Sequence, residues 1–580
     1  MADTRKSTEE MARFVFSFHP NSLGQLIKPK SQSHEQRPRL TQLFTGPGSS
    51  IQIQRTCLKA QRLRAQSEEA RLDRLGRQRP EVFRSKWEEI GFIYSVTMSQ
   101  LLTEYFVSGF SVILPTVSRE LDIPDSSSTW PMNAFSLVVA CFLLIFGRFG
   151  DIYGGFPIYV GGIVWFTVWS LICGWSQNEL MMDFCRALQG LGPAAYLPTG
   201  LMLLGSFYRP GPRKNIVFSL YGAMAPLGFF TGIFFAGITA QFTTWRWYFF
   251  IGTILSLSTV IVSYFCIPSD RQTRKDMGVK MDWWGAVLST VGLILVVFAI
   301  TDSASAPKGW ATPYIPALLA VGIGFLAATV YVEGWVAEQP LLPFDMFKTK
   351  YMSPLCIALL FLYGSLGIFL LYATYYMENT MGATPLQVVA WFAPMAVGGM
   401  IISTVGGMVL HQLPGTLLVL ISGVAFIISP LLFALAPHGA NYWAWVFPSM
   451  ICATIGIDVV FNVANIFITT AMPLKRQGLA GALINSLVQL GIAIFLGFAD
   501  VVGANTAERG RRGSYKVVFW FEVACAAAGL VILALFVKIR PAKSELTADE
   551  RAALAAEELE AEERSRRDAT QNQERQAIVA

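Results

Sequence analysis

Ionisable side chains interrupt several long apolar runs of this sequence. Glu104 lies in SQLLTEYFVSGF and Asp458 in TIGIDVVFNVAN. Asp183 and Arg186 share the segment MMDFCRALQG. An ionisable group at bilayer depth costs at least about 2.5–3.5 kcal/mol, so such a group is a candidate for function by default. We predict that these four residues take part in proton coupling or substrate handling.

Different partners are open to three of these groups. Asp183 and Arg186 are three residues apart and share a helix face, where they can neutralise each other, so a purely structural pair is an alternative. Glu104 has no opposite charge within four residues along the sequence. It must be protonated, face water, or pair with another helix, for instance through Arg186. A satisfied hydrogen bond between helices is the alternative for Glu104.

Asp458 belongs to a polar stripe. Asn462 and Asn465 follow it by four and seven residues, so the three side chains share a helix face that suits a cavity wall. An interhelical structural role is the alternative. Glu522 lies nearer the edge of its apolar run and close to Lys516, which makes it a weaker candidate.

Other kinds of active centre find little support in the sequence. None of the eight cysteines forms a CxxC pair, and the four histidines lie near the N-terminus or near predicted helix ends, so we expect no metal site and no disulfide framework. The chain has no GxxxxGK[ST] motif and no nucleophile–base constellation. We therefore expect a protein that is not an enzyme, needs no cofactor and is not driven by ATP.

The elements that position these residues are membrane spans. The chain is 53% hydrophobic and only 14% charged, whereas soluble domains carry about 25% charged residues. A span needs roughly 20 apolar residues. Such runs predict an all-α polytopic membrane protein with fourteen spans, near residues 91–116, 130–150, 157–176, 181–206, 215–238, 247–267, 283–302, 313–335, 353–377, 386–410, 416–436, 443–470, 478–502 and 515–538.

Positive charge sets the expected orientation. Residues 1–90 hold 17 Lys and Arg against 10 Asp and Glu, and we expect them to form a disordered basic arm rather than a nucleic-acid-binding domain. With the N-terminus inside, the inner connections hold eleven Lys and Arg and the outer ones seven. The positive-inside rule then places both termini in the cytoplasm.

A short connection after the second span reads GRFGDIYGGF, residues 147–156. Gly154 and Gly155 suit a tight turn, and a turn alone would need nothing more. A weak repeat that lays Gly147 on Gly407, and so Asp151 on His411, indicates two halves of six spans with two extra spans between them.

These motifs resemble the major facilitator superfamily, and specifically its fourteen-span drug:proton antiporter branch in fungi. GRFGDIYGGF resembles the loop motif after span two, FCRALQGLGPAAYLPTG the fourth-span motif, and GAMAPLGFFTGIFFAG the antiporter motif of span five. Together with SQLLTEYF and FPSMICATIGIDVVFNVANIFITT, they look most like the aminotriazole-resistance and boron-export group. Relatives in that group include exporters of toxic solutes and low-affinity ammonium transporters.

The resemblance implies proton-driven alternating access between two six-helix bundles, by a protein that works as a monomer. It assigns proton coupling to the motif arginine, Arg186, and a bend to Pro226. It implies a gating loop with Gly147, Arg148, Asp151, Gly154 and Gly155, in which Asp151 meets a helix N-terminus or an arginine. Ile152, Gly155 and Phe156 stand where the family has basic residues, which predicts a weakened gate.

We expect a substrate cavity lined by Gln189, Pro226, Gly228, Asn462 and Asn465, with an aromatic lining from Met132, Phe135, Tyr372, Tyr375, Trp391 and Phe392.

The expected units are an arm (1–90), a first bundle (91–268), a linker with two extra spans (269–350), a second bundle (351–540) and a charged tail (541–580). The leading hypothesis is a proton-coupled exporter of small organic toxicants, drugs or metabolites in the plasma or vacuolar membrane. A carrier of borate or ammonium and a non-transporting nutrient sensor are the alternatives.

Overall fold

The computed structural model describes residues 78–124, 126–208, 212–270, 278–409, 413–470 and 477–539. Within these ranges the regular structure is helical, and no strand occurs. The expectations for the arm before residue 78, for the tail from residue 540 and for His411 lie outside the described residues.

Fourteen helices of at least 18 residues follow one another in the described part of the chain. Their ends agree with the predicted spans to within five residues. They are α1 (Lys86–Glu120), α2 (Trp130–Tyr153), α3 (Gly155–Cys173), α4 (Glu179–Phe207), α5 (Pro212–Phe242), α6 (Arg246–Cys266), α7 (Trp283–Asp302), α8 (Tyr314–Tyr331), α9 (Met352–Asn379), α10 (Pro385–Val409), α11 (Gly415–Leu435), α12 (Phe447–Thr470), α13 (Gln477–Asn505) and α14 (Gly510–Phe536).

Shorter elements adjoin these helices. A π-helical turn, Val332–Val336, extends α8, and another, Tyr442–Val446, leads into α12. The remaining ones are Gly309–Ala311, Asp345–Lys348 and Ala507–Arg509.

Thirteen of the described helices are long and apolar enough to span a membrane. The fourteenth, α4, is long enough at 29 residues but carries the polar segment around Arg186. It packs against both α2 and α3, and most of its middle is buried. A helix surrounded by other helices can carry polar groups because protein, not lipid, surrounds them. The predicted all-α polytopic membrane fold is confirmed.

The helices pack as two groups. In the N half (α1–α6), α1 packs on α5 and α6, and α4 lies between α2 and α3. In the C half (α9–α14), α9 packs on α13 and α14, and α11 on α12 and α14. The halves meet mainly where α2 contacts α13 and α5 contacts α10. The extra pair, α7 and α8, packs through α7 against both α2 and α13.

The body has two ends, which we call the N-terminal face, where α1 begins, and the opposite face, where α1 ends. At the N-terminal face, Ser85 caps the start of α1, because its Oγ accepts the Glu88 N–H at 3.1 Å. The Glu88 carboxylate in turn accepts the N–H of Arg84, one residue before the cap, at 2.6 Å. Residues 86–90, which the sequence assigned to the arm, are therefore helical.

Candidate functional site

Glu104 lies halfway along α1 and is half-buried. The Gln100 amide donates a hydrogen bond to Glu104 Oε1 at 3.3 Å, and the Tyr221 hydroxyl of α5 donates to Gln100 Oε1 at 2.8 Å. Gly228 of α5 permits this arrangement, since a Cβ there would lie 3.0 Å from Glu104 Cβ and 2.4 Å from the Leu101 carbonyl oxygen. The side-chain hydrogen bond that the described residues give Glu104 comes from its own helix, not from another helix as the alternative supposed, and Arg186 does not pair with it.

Asp458 approaches the same region from the C half. It lies midway along α12, and its charge is close enough to act on Glu104 of the N half. Gly399 of α10 lies against it, because a Cβ on Gly399 would be 3.0 Å from Asp458 Oδ2 and 3.2 Å from Pro226 Cβ of α5. Two carboxyls from different halves therefore lie within electrostatic reach of each other where α5 and α10 cross.

Polar groups of the C half surround Asp458. The Asn462 amide donates to the Asp458 backbone oxygen at 2.7 Å, and Asn465 is half-buried on the same helix. The Tyr363 ring of α9 is buried and lies within electrostatic reach of Asp458. Among the residues that the structure describes, its hydroxyl has no hydrogen-bond partner. This group offers both an acid and an open hydroxyl to a small polar solute.

Arg186 is buried in the N half, away from Glu104 and Asp458, among backbone oxygens and aromatic rings. Its guanidinium donates to the backbone oxygens of Pro131 at 3.2 Å and Phe106 at 3.3 Å, and to Gln189 Oε1 at 2.6 Å. It also lies over the rings of Phe110 and Phe135, at 4.1 and 4.3 Å from their centroids. In the described part of the chain no carboxylate lies within 4.0 Å of it, so oxygens and ring faces compensate the charge.

The structural pair of Asp183 and Arg186, which was the alternative for these two residues, does not form among the described residues. Asp183 Oδ1 is buried and has no hydrogen-bond partner within the described ranges, and the Arg186 guanidinium points instead to the oxygens described above. Spacing by three residues allows two side chains to meet, but the long arginine side chain reaches three oxygens at once, on α1, on α2 and on α4 itself. Of the four predicted coupling residues, the structure brings together Glu104 and Asp458.

The residues predicted to line a cavity do not all lie at one place in the fold. Gln189 is fully buried in the N half, where it accepts from Arg186 and donates to Ser170 Oγ at 2.7 Å, so its amide serves packing between α3 and α4. Gly228 packs on α1. Pro226 lies at the contact between the halves, beside the two carboxyls.

The segment GRFGDIYGGF is mostly helix. Gly147, Arg148 and Asp151 belong to the last turns of α2, and Asp151 is within electrostatic reach of Arg148. Arg148 donates to the Lys280 backbone oxygen at 3.0 Å and to Gln339 O and Oε1 at 3.2 and 3.1 Å. These acceptors flank the extra pair, so the arginine of this motif binds the extra pair.

Gly154 and Gly155 make the turn that the sequence predicts. Gly154, with φ of 98°, joins α2 to α3 in a conformation that glycine adopts readily. A Cβ at Gly155 would lie 2.8 Å from Leu203 Cγ. The first N–H groups of α3 donate to the buried carboxylate of Asp270, from Gly155 at 2.9 Å and from Phe156 at 3.2 Å. Asp270 thus caps α3 from a distant segment.

The sequence reasoning missed Asp500, a buried acid at the end of α13. It accepts hydrogen bonds from Thr129 Oγ1 at the start of α2 and, at 3.2 Å, from the Tyr372 hydroxyl of α9. Nearby, the Tyr375 hydroxyl is 3.2 Å from Ser128 Oγ. We call these five residues the opposite-face latch, since they join the N half to the C half there. The only signal in the sequence is an acid inside the apolar run FLGFADVV.

The aromatic residues predicted to line the cavity also lie in different parts of the fold. Tyr372 and Tyr375 belong to the latch, and Phe135 stacks on Arg186. Trp391 stacks on Tyr442, with centroids 5.3 Å apart, and Met132 is buried in the core. Glu522 is buried within the C half, where Ser365 Oγ donates to it at 3.2 Å.

A bundle of membrane-length helices with carboxyls where two halves meet is the architecture of a membrane transport protein. The chain belongs to the Major Facilitator Superfamily, whose family model matches residues 96–496. The predictions of this family and of a transporter rather than an enzyme are confirmed.

Several fungal proteins are similar to this chain. The "Low affinity ammonium transporter" of Saccharomyces cerevisiae is 34% identical over 78% of this chain and 88% of its own length. The "Efflux pump terJ" of Aspergillus terreus is 32% identical over 77% of this chain and 88% of its own length. The "Aminotriazole resistance protein" of S. cerevisiae is 32% identical over 80% of this chain and 88% of its own length.

Among solved structures, a variant of the nucleoside transporter NupG superposes with a TM-score of 0.54 at 12% identity. The match covers 78% of this chain and all of the NupG chain. At this identity the likeness shows the fold alone.

Proposed function

We propose that this transporter exports small organic toxicants, drugs or metabolites in exchange for protons, by alternating access between the N half and the C half. The observation that carries the proposal is the approach of Glu104 and Asp458 from different halves at the crossing of α5 and α10. Relatives named as efflux pumps and as an aminotriazole resistance protein support the substrate class.

The chemistry follows from two carboxyls that share a poorly hydrated site. Two like charges there repel each other strongly, so the site favours a proton or a cationic group beside at least one of them. Each carboxyl belongs to a different half, so rocking of the halves separates or joins them. Proton release and substrate binding are thereby coupled to the change of access. The opposite-face latch would close one side in the state described here.

The remaining assignments complete the proposal. Both termini lie in the cytoplasm, so the N-terminal face is cytoplasmic, and the protein works as a monomer in the plasma membrane or the vacuolar membrane. Residues 1–90, 91–268, 269–350, 351–540 and 541–580 form the arm, first bundle, linker with the extra pair, second bundle and tail. We propose Arg186 and Asp183 as further members of the proton path, and Asn462 and Asn465 as cavity wall.

The proposal is tested by flux in proteoliposomes. Purified protein is reconstituted with an imposed pH gradient, and uptake of a labelled azole or aminotriazole is followed. We expect flux of the wild type to follow the gradient, and Glu104→Gln and Asp458→Asn each to lose at least tenfold of the gradient-driven rate.

Glu522→Gln is the matched control, because Glu522 is an intramembrane acid, buried more deeply than Glu104 and Asp458, that lies away from the contact between the halves. It should keep gradient-driven flux. Wild-type flux that ignores the pH gradient would refute proton coupling. Equal losses in all three variants would show that any buried acid is needed for folding alone.

A carrier of a very small cationic solute is a second candidate. The unpartnered Tyr363 hydroxyl beside Asp458 and the relative named as a low-affinity ammonium transporter favour it. Uptake of labelled methylammonium by the same vesicles separates the two. If methylammonium flux is saturable and lost in Asp458→Asn while the organic substrates are not moved, this candidate replaces the first.

A further inference from the structure

A cavity at the N-terminal face lies outside the transport site. It has a volume of about 470 Å³ and is lined by Arg79, Lys86, Glu89, Ile90 and Arg213. Its size falls within the range of small-ligand sites, which is about 300–1,000 Å³. Three of its five lining side chains are cationic, and the transport mechanism uses none of them.

Glu89 is the one acid among the described residues that line this cavity, and it is already neutralised. Glu89 is buried and accepts two short hydrogen bonds from one guanidinium, from Arg213 Nε at 2.7 Å and Nη2 at 2.6 Å. The Tyr208 hydroxyl donates to the same carboxylate at 3.0 Å. Hydrogen bonding to Glu89 raises the pKa of Arg213, and burial followed by the Glu89 charge raises the pKa of Tyr208. The charges of Arg79 and Lys86 therefore remain available to a ligand.

The geometry holds these charges in place. Lys86 is the first residue of α1, and Arg213 is the second residue of α5, so two helix N-termini add positive potential to the cavity. Arg79 precedes a turn in which the Phe83 N–H donates to the Pro80 oxygen at 3.2 Å. The Phe83 ring is buried and packs against Tyr208, with centroids 6.2 Å apart, which fixes this segment on the body.

An exposed apolar surface adjoins the cationic groups. Ile90 lines the cavity and is 53% exposed, and Trp87, one residue beyond Lys86, is 79% exposed. On α5, Ile216 lies one turn after Arg213 and is 67% exposed. A soluble anion would contact only the cationic groups. A phospholipid would contact both surfaces, with its phosphate at the cationic groups and its acyl chains on the exposed apolar side chains.

We propose that this cavity binds the phosphate headgroup of an anionic phospholipid from the leaflet at the N-terminal face. Arg79 and Lys86 contact the phosphate, Arg213 stays paired with Glu89 and shapes the wall, and the exposed apolar side chains of α1 and α5 receive the acyl chains. The lipid would thereby tie the start of α1 to the start of α5. The proposal is independent of the transported substrate.

The test uses the full-length protein in detergent and dioctanoyl phosphatidylserine as the probe. Titration should raise the melting temperature saturably, whereas dioctanoyl phosphatidylcholine and inorganic phosphate should not. Each cation is worth about fivefold in affinity at a membrane surface, so the double variant Arg79→Gln/Lys86→Gln should raise the apparent Kd on the order of 25-fold. Both residues are exposed, so the variant should fold.

The matched control removes two exposed cations elsewhere near the N-terminal face, with Lys348→Gln/Lys350→Gln, and should leave the apparent Kd within about twofold. An equal loss in this control would show that total charge, not the cavity, attracts the lipid. A response to phosphatidylcholine as strong as to phosphatidylserine, or full stabilisation by inorganic phosphate alone, would also overturn the lipid site. So would an unchanged Kd in Arg79→Gln/Lys86→Gln.

Discussion

The opposite-face latch allows a sharp prediction, because its one carboxylate, Asp500, accepts hydrogen bonds from both halves. Thr129 Oγ1 of the N half and the Tyr372 hydroxyl of the C half both donate to Asp500. Thr129→Val removes the bond that crosses between the halves and keeps the side-chain shape. Tyr372→Phe removes a bond to the same carboxylate without crossing. The two variants therefore differ in whether the lost bond connects parts that move relative to each other.

The magnitude follows from the energy of one hydrogen bond. A bond to a charged group contributes about 1.5–3 kcal/mol and one between neutral groups about 0.5–1.5 kcal/mol, so a loss of about 1–2 kcal/mol is expected. This loss falls only on the state in which the opposite face is closed, because Thr129 and Asp500 separate when it opens. A bias of 1–2 kcal/mol changes a population ratio by about 5- to 30-fold.

The assay measures the distance between spin labels at Ser126 and Glu508, which are both exposed at the opposite face. The labels are placed in a background without other reactive cysteines. Thr129→Val should increase the long-distance population about 5- to 30-fold relative to the closed population. Tyr372→Phe should leave the ratio within about twofold, although it can lower the melting temperature.

Two outcomes would refute this reasoning. If Thr129→Val leaves the distance distribution unchanged, the bond to Asp500 does not hold the face closed. If Tyr372→Phe opens the face as much as Thr129→Val, the carboxylate acts through its own position in the C half, and the crossing bond has no special role.

Two further predictions concern the N half. Gly228→Ala should lower the melting temperature, because its Cβ would lie 2.4 Å from the Leu101 oxygen and overpacking of this kind costs about 1–3 kcal/mol. Gly222→Ala, with no described atom within 4 Å of the added Cβ, should leave the melting temperature unchanged or raise it, because alanine favours a helix more than glycine does. Equal melting temperatures for the two variants would contradict the tight contact of α1 with α5. Arg186→Lys keeps the charge but cannot reach all three oxygens, and since each lost charged bond is worth about 1.5–3 kcal/mol, we expect gradient-driven flux to fall at least tenfold. Wild-type flux in Arg186→Lys would show that charge alone suffices.

The sequence was most informative where placing a polar or charged group in a membrane costs free energy, because such a cost restricts which residues can occur there. Apolar runs predict the helices because backbone polar groups in a membrane must bond within the segment. The cost of a charge at bilayer depth singled out Glu104 and Asp458, and in the fold these two acids lie within electrostatic reach of each other. Asp500 escaped this rule, because an acid near the end of a run resembles an ordinary interfacial residue, and its partners lie 128 and 371 residues away.

Contacts between distant segments also decide the roles of the motif residues. Arg186 could be expected to pair with Asp183 because they share a helix face, but the acceptors it reaches lie on α1, α2 and α4. Asp270, which follows α6, caps the start of α3. Nothing in the sequence of either segment indicates this contact. Local spacing gives the pairs that can form, whereas packing selects among acceptors that only the folded chain brings near.

The contacts of the extra pair differ between the two halves, and this difference indicates with which half the pair moves. At the N-terminal face, Arg148 of α2 binds the segments on both sides of the pair. Near the opposite face, the Asn133 amide of α2 donates to Thr301 Oγ1 of α7 at 3.2 Å. Against α13, α7 presents the apolar side chain of Val297 together with a close approach of Thr301 to Gly497. Hydrogen bonds resist displacement because their geometry is narrow, whereas apolar surfaces can slide while staying buried. If the halves rock as proposed, the plane of sliding therefore runs between α7 and α13, and the extra pair moves as part of the N half.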